Sequence, residues 1–198
     1  EINPDFVRIV KKYRNFNGGI YTDFPNVQIH VAEGRHYIKN TNEYFDLIVM
    51  ALPSTEQLQS IDNFAASENY LLTVEALQDY LKILTPEGRL IFTVHNRWEL
   101  MRLIMTTIKA FDQLGMDTRQ TLNHFMILDQ DYAPTLVIKK NIFTNEDINR
   151  IKRIINTIPD EFPKVTYLPS HLNKNPHTLI TQFLQKIQSN NANLQNFI

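Results

Sequence analysis

Cysteine is absent from the 198 residues. That removes thiolate nucleophiles, disulfide frameworks and cysteine-ligated zinc together, and it fits a reducing compartment. Glycine is scarce, with 5 residues in all, and none of them builds a GxGxxG or GxxxxGK[ST] phosphate loop. Neither sign of charge dominates. Lys plus Arg number 20 against 21 Asp plus Glu, a net charge of −1, so no field gathers a nucleic acid or an anionic membrane. Long apolar runs are lacking too: the longest, Leu47 to Pro53, falls far short of the roughly 20 residues needed to span a bilayer. The 6 histidines include no pair with the spacing and carboxylate company of a metal site, and no metal is expected.

What is present is the profile of one globular domain, with 43% hydrophobic and 21% charged side chains, able to bury roughly 70% of its unfolded surface without covalent support. The chain opens Glu-Ile-Asn-Pro with no Met and no signal-like segment, and so is expected to be cut out of something longer.

Strand and helix patterns alternate along it. Asn3 and Pro4 predict a helix over 4–14, since Phe6, Ile9, Val10 and Tyr13 recur at helical spacing. Val27–Val31 alternates like a half-buried strand, Glu33–Asn40 reads as a short helix, and Tyr44–Leu52 as a strand apolar on both faces, suited to a sheet centre. A polar connection over 53–67 precedes a helix over 72–84. A Pro86-Glu87-Gly88 turn leads into a strand over Arg89–Val94, and a long amphipathic helix covers 97–114, with Trp98, Leu100, Leu103, Ile104 and Ile108 as core. His124–Leu128 and Thr135–Lys139 pair as an antiparallel hairpin. Thr144 caps a helix reaching 158, with Asp147 three residues on, followed by a strand at Lys164–Leu168 and a helix near 176–188. The fold class is therefore α/β with a mostly parallel sheet and a C-terminal antiparallel hairpin, in one domain whose core is residues 1–140 and whose helix-strand-helix extension is 141–198.

Ligands of open α/β sheets collect beyond the carboxyl ends of the strands. Glu1, Glu33, the 51–70 connection, His95-Asn96 and the 129–134 turn stand at such places. The basic stretch from Lys139 to Arg153 is interrupted at helical spacing and reads as a solvated face.

Glu1-Ile2-Asn3-Pro4, Asn26-Val27 to Glu33-Gly34-Arg35, Tyr44-Phe45-Asp46-Leu47-Ile48-Val49 and Leu84-Thr85-Pro86-Glu87-Gly88-Arg89-Leu90 follow one another in the order and spacing of the class I S-adenosylmethionine-dependent fold. More narrowly, over about residues 1–140, the chain resembles the spermidine synthase family. The resemblance implies a Rossmann-like methyltransferase fold with the family's strand order 3-2-1-4-5-7-6, truncated at its N-terminus. It implies S-adenosylmethionine or its decarboxylated form as cofactor, with Glu1 at the ribose, Glu33 at the adenine amino group in place of the family's Asp, and Gly34 and Ala51 completing the cofactor-binding set. Arg35 would brace the loop.

Where the family carries an Asp-x-x-Asp element that holds and deprotonates the attacking amine, this chain has Ala51 and Ser54, so true spermidine synthesis is not expected. Asp62, Glu68 and Tyr70 are the substitute catalytic residues. The last two fall in Ser67–Ala76, a string similar to one in a bacterial subgroup attached to membrane-spanning segments. The expected function is that of a nucleoside-binding transferase fragment, methyl- or aminopropyl-transferase-like, and the alternative is a non-catalytic ligand-binding or interaction domain that keeps the fold. Its expected partners are a small nucleoside and an amine, with no nucleic acid. The location expected is cytoplasmic, on the inner-membrane face of a membrane-anchored parent if there is one. Strand 44–52, lacking the strand that the family places beside it, is expected to pair with Val27–Val31, with upstream residues or with a second copy in a homodimer.

Overall fold

Asn3 starts the first helix as its side chain predicts. Its Oδ1 accepts the Asp5 N–H at 2.9 Å, Pro4 takes the first turn where a missing N–H costs nothing, and α1 runs Pro4–Lys12. The computed structural model describes residues 2–53, 70–129, 133–157, 164–169, 171–172 and 179–189. The chain divides into two compact units, Glu1–Asn42 and Glu43–Ile198, where the composition suggests one domain with its subdivision at residue 140.

In the small unit α1 ends in a turn through Gly18 and Gly19, both at positive φ, closed by the Arg14 guanidinium on Asp23 (Nε to Oδ1, 2.7 Å). The helix α2 covers Gly34–Asn40, and the His30 and Tyr37 rings stack with centroids 4.7 Å apart. Val27–Val31 forms no strand, contrary to its alternating pattern. A strand exists only where its backbone groups find a ladder partner, and no strand lies among the described residues of this unit.

Among the described residues the large unit has six strands, β1 Phe45–Ala51, β2 Leu84–Thr93, β3 Phe125–Asp129, β4 Thr135–Lys139, β5 Lys164–Leu168 and β6 His171–Leu172, in the order β1-β2-β4-β3-β5-β6. The first four places reproduce the 4-5-7-6 half of the expected order, with the antiparallel hairpin β3–β4 in its predicted position. The sheet is mixed rather than mostly parallel. Among the described strands only β1 and β2 run parallel, and the four other pairings are antiparallel. β5 and β6 add to the β3 side, so the segment after residue 140 is part of the same sheet.

Among the described residues β1 pairs with β2 alone, and Leu47 and Val49 on it are 52% and 57% exposed. β2 is longer than its sequence pattern because Pro86-Glu87-Gly88 makes a bulge instead of a turn: Phe45 pairs with Leu84 and Leu47 with Arg89, with the register shifted between them. A Cβ on Gly88 would meet the Phe45 and Thr85 carbonyl oxygens at 2.9 Å, so only glycine admits the close backbone approach.

Helices α3 Val74–Ile83 and α4 Arg97–Gln113 lie on one face. Leu77, Tyr80, Leu90, Phe92, Leu100, Leu103 and Ile104 are fully buried there, and the Tyr80 and Phe92 rings are 6.2 Å apart. Trp98 departs from its expected core place, at 75% exposed, because it occupies the first turn of α4. The four-residue α5 Thr118–Thr121 leads toward β3. On the other face α6 Asn145–Ile155 packs Ile148 with Val137, Phe143 and Leu168. α7 Leu179–Gln188 packs against α5 and buries Phe183 and Leu184. No helix among the described residues is long and apolar enough to cross a membrane.

The capping box predicted at Thr144 and Asp147 is present, and it carries more than a helix end. Lys139 has no exposed surface, and its Nζ lies 2.6 Å from Asp147 Oδ2 and 2.7 Å from Glu87 Oε2. It also reaches the Ile142 carbonyl at 3.3 Å, which matches its three donors with three acceptors. Arg89 Nη2 reaches Asp147 Oδ1 at 3.3 Å. Burial pushes the Asp147 carboxyl up, but the Lys139 ammonium and the Thr144 donors outweigh it and hold the group at about 2.

Since the folded value lies below the roughly 3.9 of an unfolded aspartate, this stabilisation is complete above pH ~4 and is lost as pH falls toward 2, on the order of 2 kcal/mol in all. Urea unfolding of wild type and Asp147→Asn across that range is expected to converge at its acid end and to diverge above pH 4. Gly88→Ala, measured the same way, is expected to cost about 1–3 kcal/mol through the backbone shift it forces.

Candidate functional site

Parallel pairing points the carboxyl ends of β1 and β2 the same way and sets Ala51 opposite Thr93. Just beyond, Leu52 is left-handed at φ 51°, and its N–H donates to the Thr93 carbonyl at 2.8 Å. On the neighbouring side β4 begins at the same end, where Ala133 is also left-handed at φ 54°. The Thr93 and Thr135 hydroxyls lie 3.1 Å apart, and the Val94 N–H donates to the Pro134 carbonyl at 3.0 Å. These two are the positive-φ non-glycine residues among the described ones, and both stand at this end of the sheet. Strain of that kind persists only where the surroundings over-determine it and gathers at functional sites.

The chain leaves β2 through His95 and Asn96. Asn96 caps α4, its Oδ1 accepting the Trp98 and Glu99 N–H groups at 3.0 Å each. That cap turns the first residues of α4 back over the strand end, and Glu99 Oε2 there accepts the His95 N–H at 3.0 Å and faces His95 Nδ1 at 3.2 Å. Both side chains are 15% exposed. The sequence shows His95-Asn96 at a strand end but not this pairing. Its signal was the i,i+4 carboxylate with an Asn cap between, a pattern that orients a carboxylate N-terminally along the helix.

The other residues expected at the site fall on separate elements or outside the described residues. Ala51 ends β1 and is exposed, a methyl group where an amine-binding carboxylate was in question. Tyr70 begins a single 3-10 turn, Tyr70–Leu72, and is 56% exposed. Leu71 in that turn gives its carbonyl to the Tyr80 hydroxyl at 3.0 Å, and Thr73 caps α3 through the Ala76 N–H at 3.2 Å. Glu33 and Gly34 belong to the small unit, as N-cap and first residue of α2. The Glu33 Oε1 and Oε2 accept the Arg35 and His36 N–H groups at 2.9 and 2.7 Å. A carboxylate offers about four lone-pair sites, so exposed Glu33 retains accepting capacity beyond the two bonds to its own helix. Glu1, Asp62 and Glu68 lie outside the described residues, and so does Ser54. No group of side chains fit to hold a metal ion occurs among the described residues.

His124 is a histidine of the opposite kind. It is buried, its Nδ1 donates to the Lys139 and Lys140 carbonyls at 3.2 and 3.0 Å, and burial keeps it below the ordinary imidazole value despite those bonds. It belongs to the core.

No family profile matches the sequence, and no curated protein matches it either. Solved structures similar in shape include a spermidine synthase in complex with the transition-state analogue AdoDATO, at 13% identity and TM-score 0.48 over 86% of this chain and 52% of that one. Another is the spermidine synthase from Thermotoga maritima, at 14% identity and TM-score 0.47 over 86% of this chain and 52% of that one. The chain spans about half the length of these proteins. Its own strand order, with the antiparallel hairpin in place, is the ground for the fold assignment.

The cap at Glu33 can be tested alone. Glu33→Ala is expected to release the first turn of α2, costing about 1 kcal/mol locally. Hydrogen exchange at the Arg35 and His36 amides should then quicken roughly fivefold, while Glu33→Asp retains most of the protection.

Proposed function

We propose that this chain contributes to a nucleoside-binding transferase-like domain of the S-adenosylmethionine type, and that it is not a spermidine synthase. The observation that carries the reading is the 4-5-7-6 strand order, which brings polar and strained residues to the carboxyl ends of β1 and β2, where this architecture takes its ligands. Aminopropyl transfer to putrescine needs a carboxylate to orient the cation, and the β1 tip offers Ala51. In this reading Glu33 serves the adenine amino group, Glu1 the ribose, and S-adenosylmethionine or its decarboxylated form is the cofactor. Asp62 or Glu68, with Tyr70, orients an amine acceptor. The protein works in the cytoplasm, where the nucleoside and amine are found.

A second reading has a specific observation in its favour. Loss of the carboxylate at Ala51 is what a domain retained only for binding would tolerate, and such a domain holds the nucleoside without transferring anything.

Calorimetry on the full-length protein with S-adenosylmethionine, decarboxylated S-adenosylmethionine and methylthioadenosine is expected to show binding of at least one. Failure with all three rejects both readings. Assays with putrescine, spermidine and a panel of methyl acceptors then separate them: transfer supports the first, and binding without transfer the second. Where transfer occurs, Asp62→Asn with Glu68→Gln is expected to abolish it and Ser54→Ala to leave it nearly unchanged; activity surviving the double substitution removes the carboxylates from the role.

A further inference from the structure

We propose that Trp98 selects the acceptor of the transfer reaction, and that the acceptor is an amine carried on an aromatic ring rather than an aliphatic polyamine. The inference rests on the nucleoside-binding transferase reading and names the substrate class of that same site.

Connectivity alone places Trp98 at the ligand end of the sheet. It follows Thr93, the last residue of β2, by five positions, and Asn96 Oδ1 fixes its N–H in the first turn of α4 at 3.0 Å. That helix buries Leu100, Leu103, Ile104, Thr107 and Ile108. At 3.6 residues per turn, Trp98 stands on the opposite side, in line with exposed Arg102 one turn on. The core therefore makes little use of its ring: the residue is 75% exposed, and its indole stacks on no other ring among the described residues. An indole combines a broad apolar face with one N–H, and it is enriched where a second molecule is recognised.

The chemistry at this end selects what lies on that face. Glu99, the acid in the first turn of α4, is turned back onto His95, while Arg97 and Arg102 on the same turns are exposed. β1 ends in exposed Ala51, and Leu52 beyond it is exposed too. An indole face does attract an ammonium, but two neighbouring arginines oppose it, and they oppose a chain with an ammonium at each end more strongly. A neutral aromatic ring meets no such repulsion. It gains offset stacking on the indole and loses no solvation of a charge.

The step itself needs no further reactant. The acceptor's neutral amine nitrogen bonds to the carbon attached to the sulfonium sulfur of the nucleoside donor as the C–S bond breaks. The bonding pair passes to sulfur, which becomes a neutral thioether, and the proton lost from nitrogen goes to water. Trp98 holds the acceptor's ring and takes no part in the bond changes, so its contribution falls on KM rather than kcat.

The test uses the full-length protein, with S-adenosylmethionine and its decarboxylated form as donors, tyramine and phenethylamine as aromatic acceptors, and putrescine and spermidine as aliphatic ones. The wild type is expected to favour the aromatic amines in kcat/KM by about tenfold or more. Because the residue is exposed, Trp98→Ala is expected to fold normally. It should raise the KM for the aromatic amines about tenfold while leaving kcat and the KM for putrescine unchanged, and Trp98→Phe should restore most of the loss. The Trp98 indole N–H signal, assigned by its absence from Trp98→Phe, is expected to shift on titration with phenethylamine and to stay in place with putrescine. An equal or higher kcat/KM for putrescine, or an unmoved KM for the aromatic amines in Trp98→Ala, overturns the inference and leaves the transferase reading standing. Nucleoside binding without transfer to any of these amines overturns it as well and favours the binding-only domain. If no nucleoside binds, the transferase reading fails and the inference fails with it.

Discussion

An ammonium group with no exposed surface sits at the foot of the sheet, and the large unit is organised around it. A buried charge is tolerated only when its donors are matched, and Lys139 is matched from three elements: the β2 bulge through Glu87, the turn after β4 through Ile142, and the first turn of α6 through Asp147. Asp147 in turn receives Arg89 and both the N–H and hydroxyl of Thr144. Lys139 is also the register partner of Arg89 across β2 and β4. A slip of one residue would send it to the opposite face, into the apolar layer under α3 and α4. The network therefore specifies which residues face each other as much as it stabilises them.

Stability and chemistry are placed at opposite ends of the same strands. The amino end of β2 holds the glycine-dependent bulge and the Lys139 network. Its carboxyl end holds the left-handed Leu52 and Ala133, the paired Thr93 and Thr135 hydroxyls and the His95–Glu99 pair. Strain at the second end is sustained by rigidity at the first, because β2 and β4 are continuous between them and buried on the helix face at Leu90, Phe92, Leu136 and Ile138.

Much of the fold was legible from local rules. The caps at Asn3 and Thr144 and the strands at Thr135–Lys139 and Lys164–Leu168 follow from side-chain chemistry and period. Where reading failed, a non-local choice decided the matter. Val27–Val31 has the alternation of a strand, but alternation supplies no partner. Pro86-Glu87-Gly88 has turn chemistry, and the same residues that can turn a chain can also bulge it. Among the candidate site residues, Glu33 was found at a helix start, where its bonds are now visible. His95 was noted at a strand end, but its pairing with Glu99 was missed because it exists only once the Asn96 cap turns α4 back on the strand.

The strand order also has a kinetic side. β3 and β4 are separated by residues 130–134 alone, so their hairpin can close within microseconds. β2 then adds to β4, and β5 to β3, each against a surface already formed. β1 is different: as a parallel partner it waits for the whole crossover from Leu52 to Ile83, the loop-closure cost that slows non-local pairing. It therefore joins after the hairpin, and the left-handed turn at Leu52, whose N–H is tied to the Thr93 carbonyl of β2, forms with it.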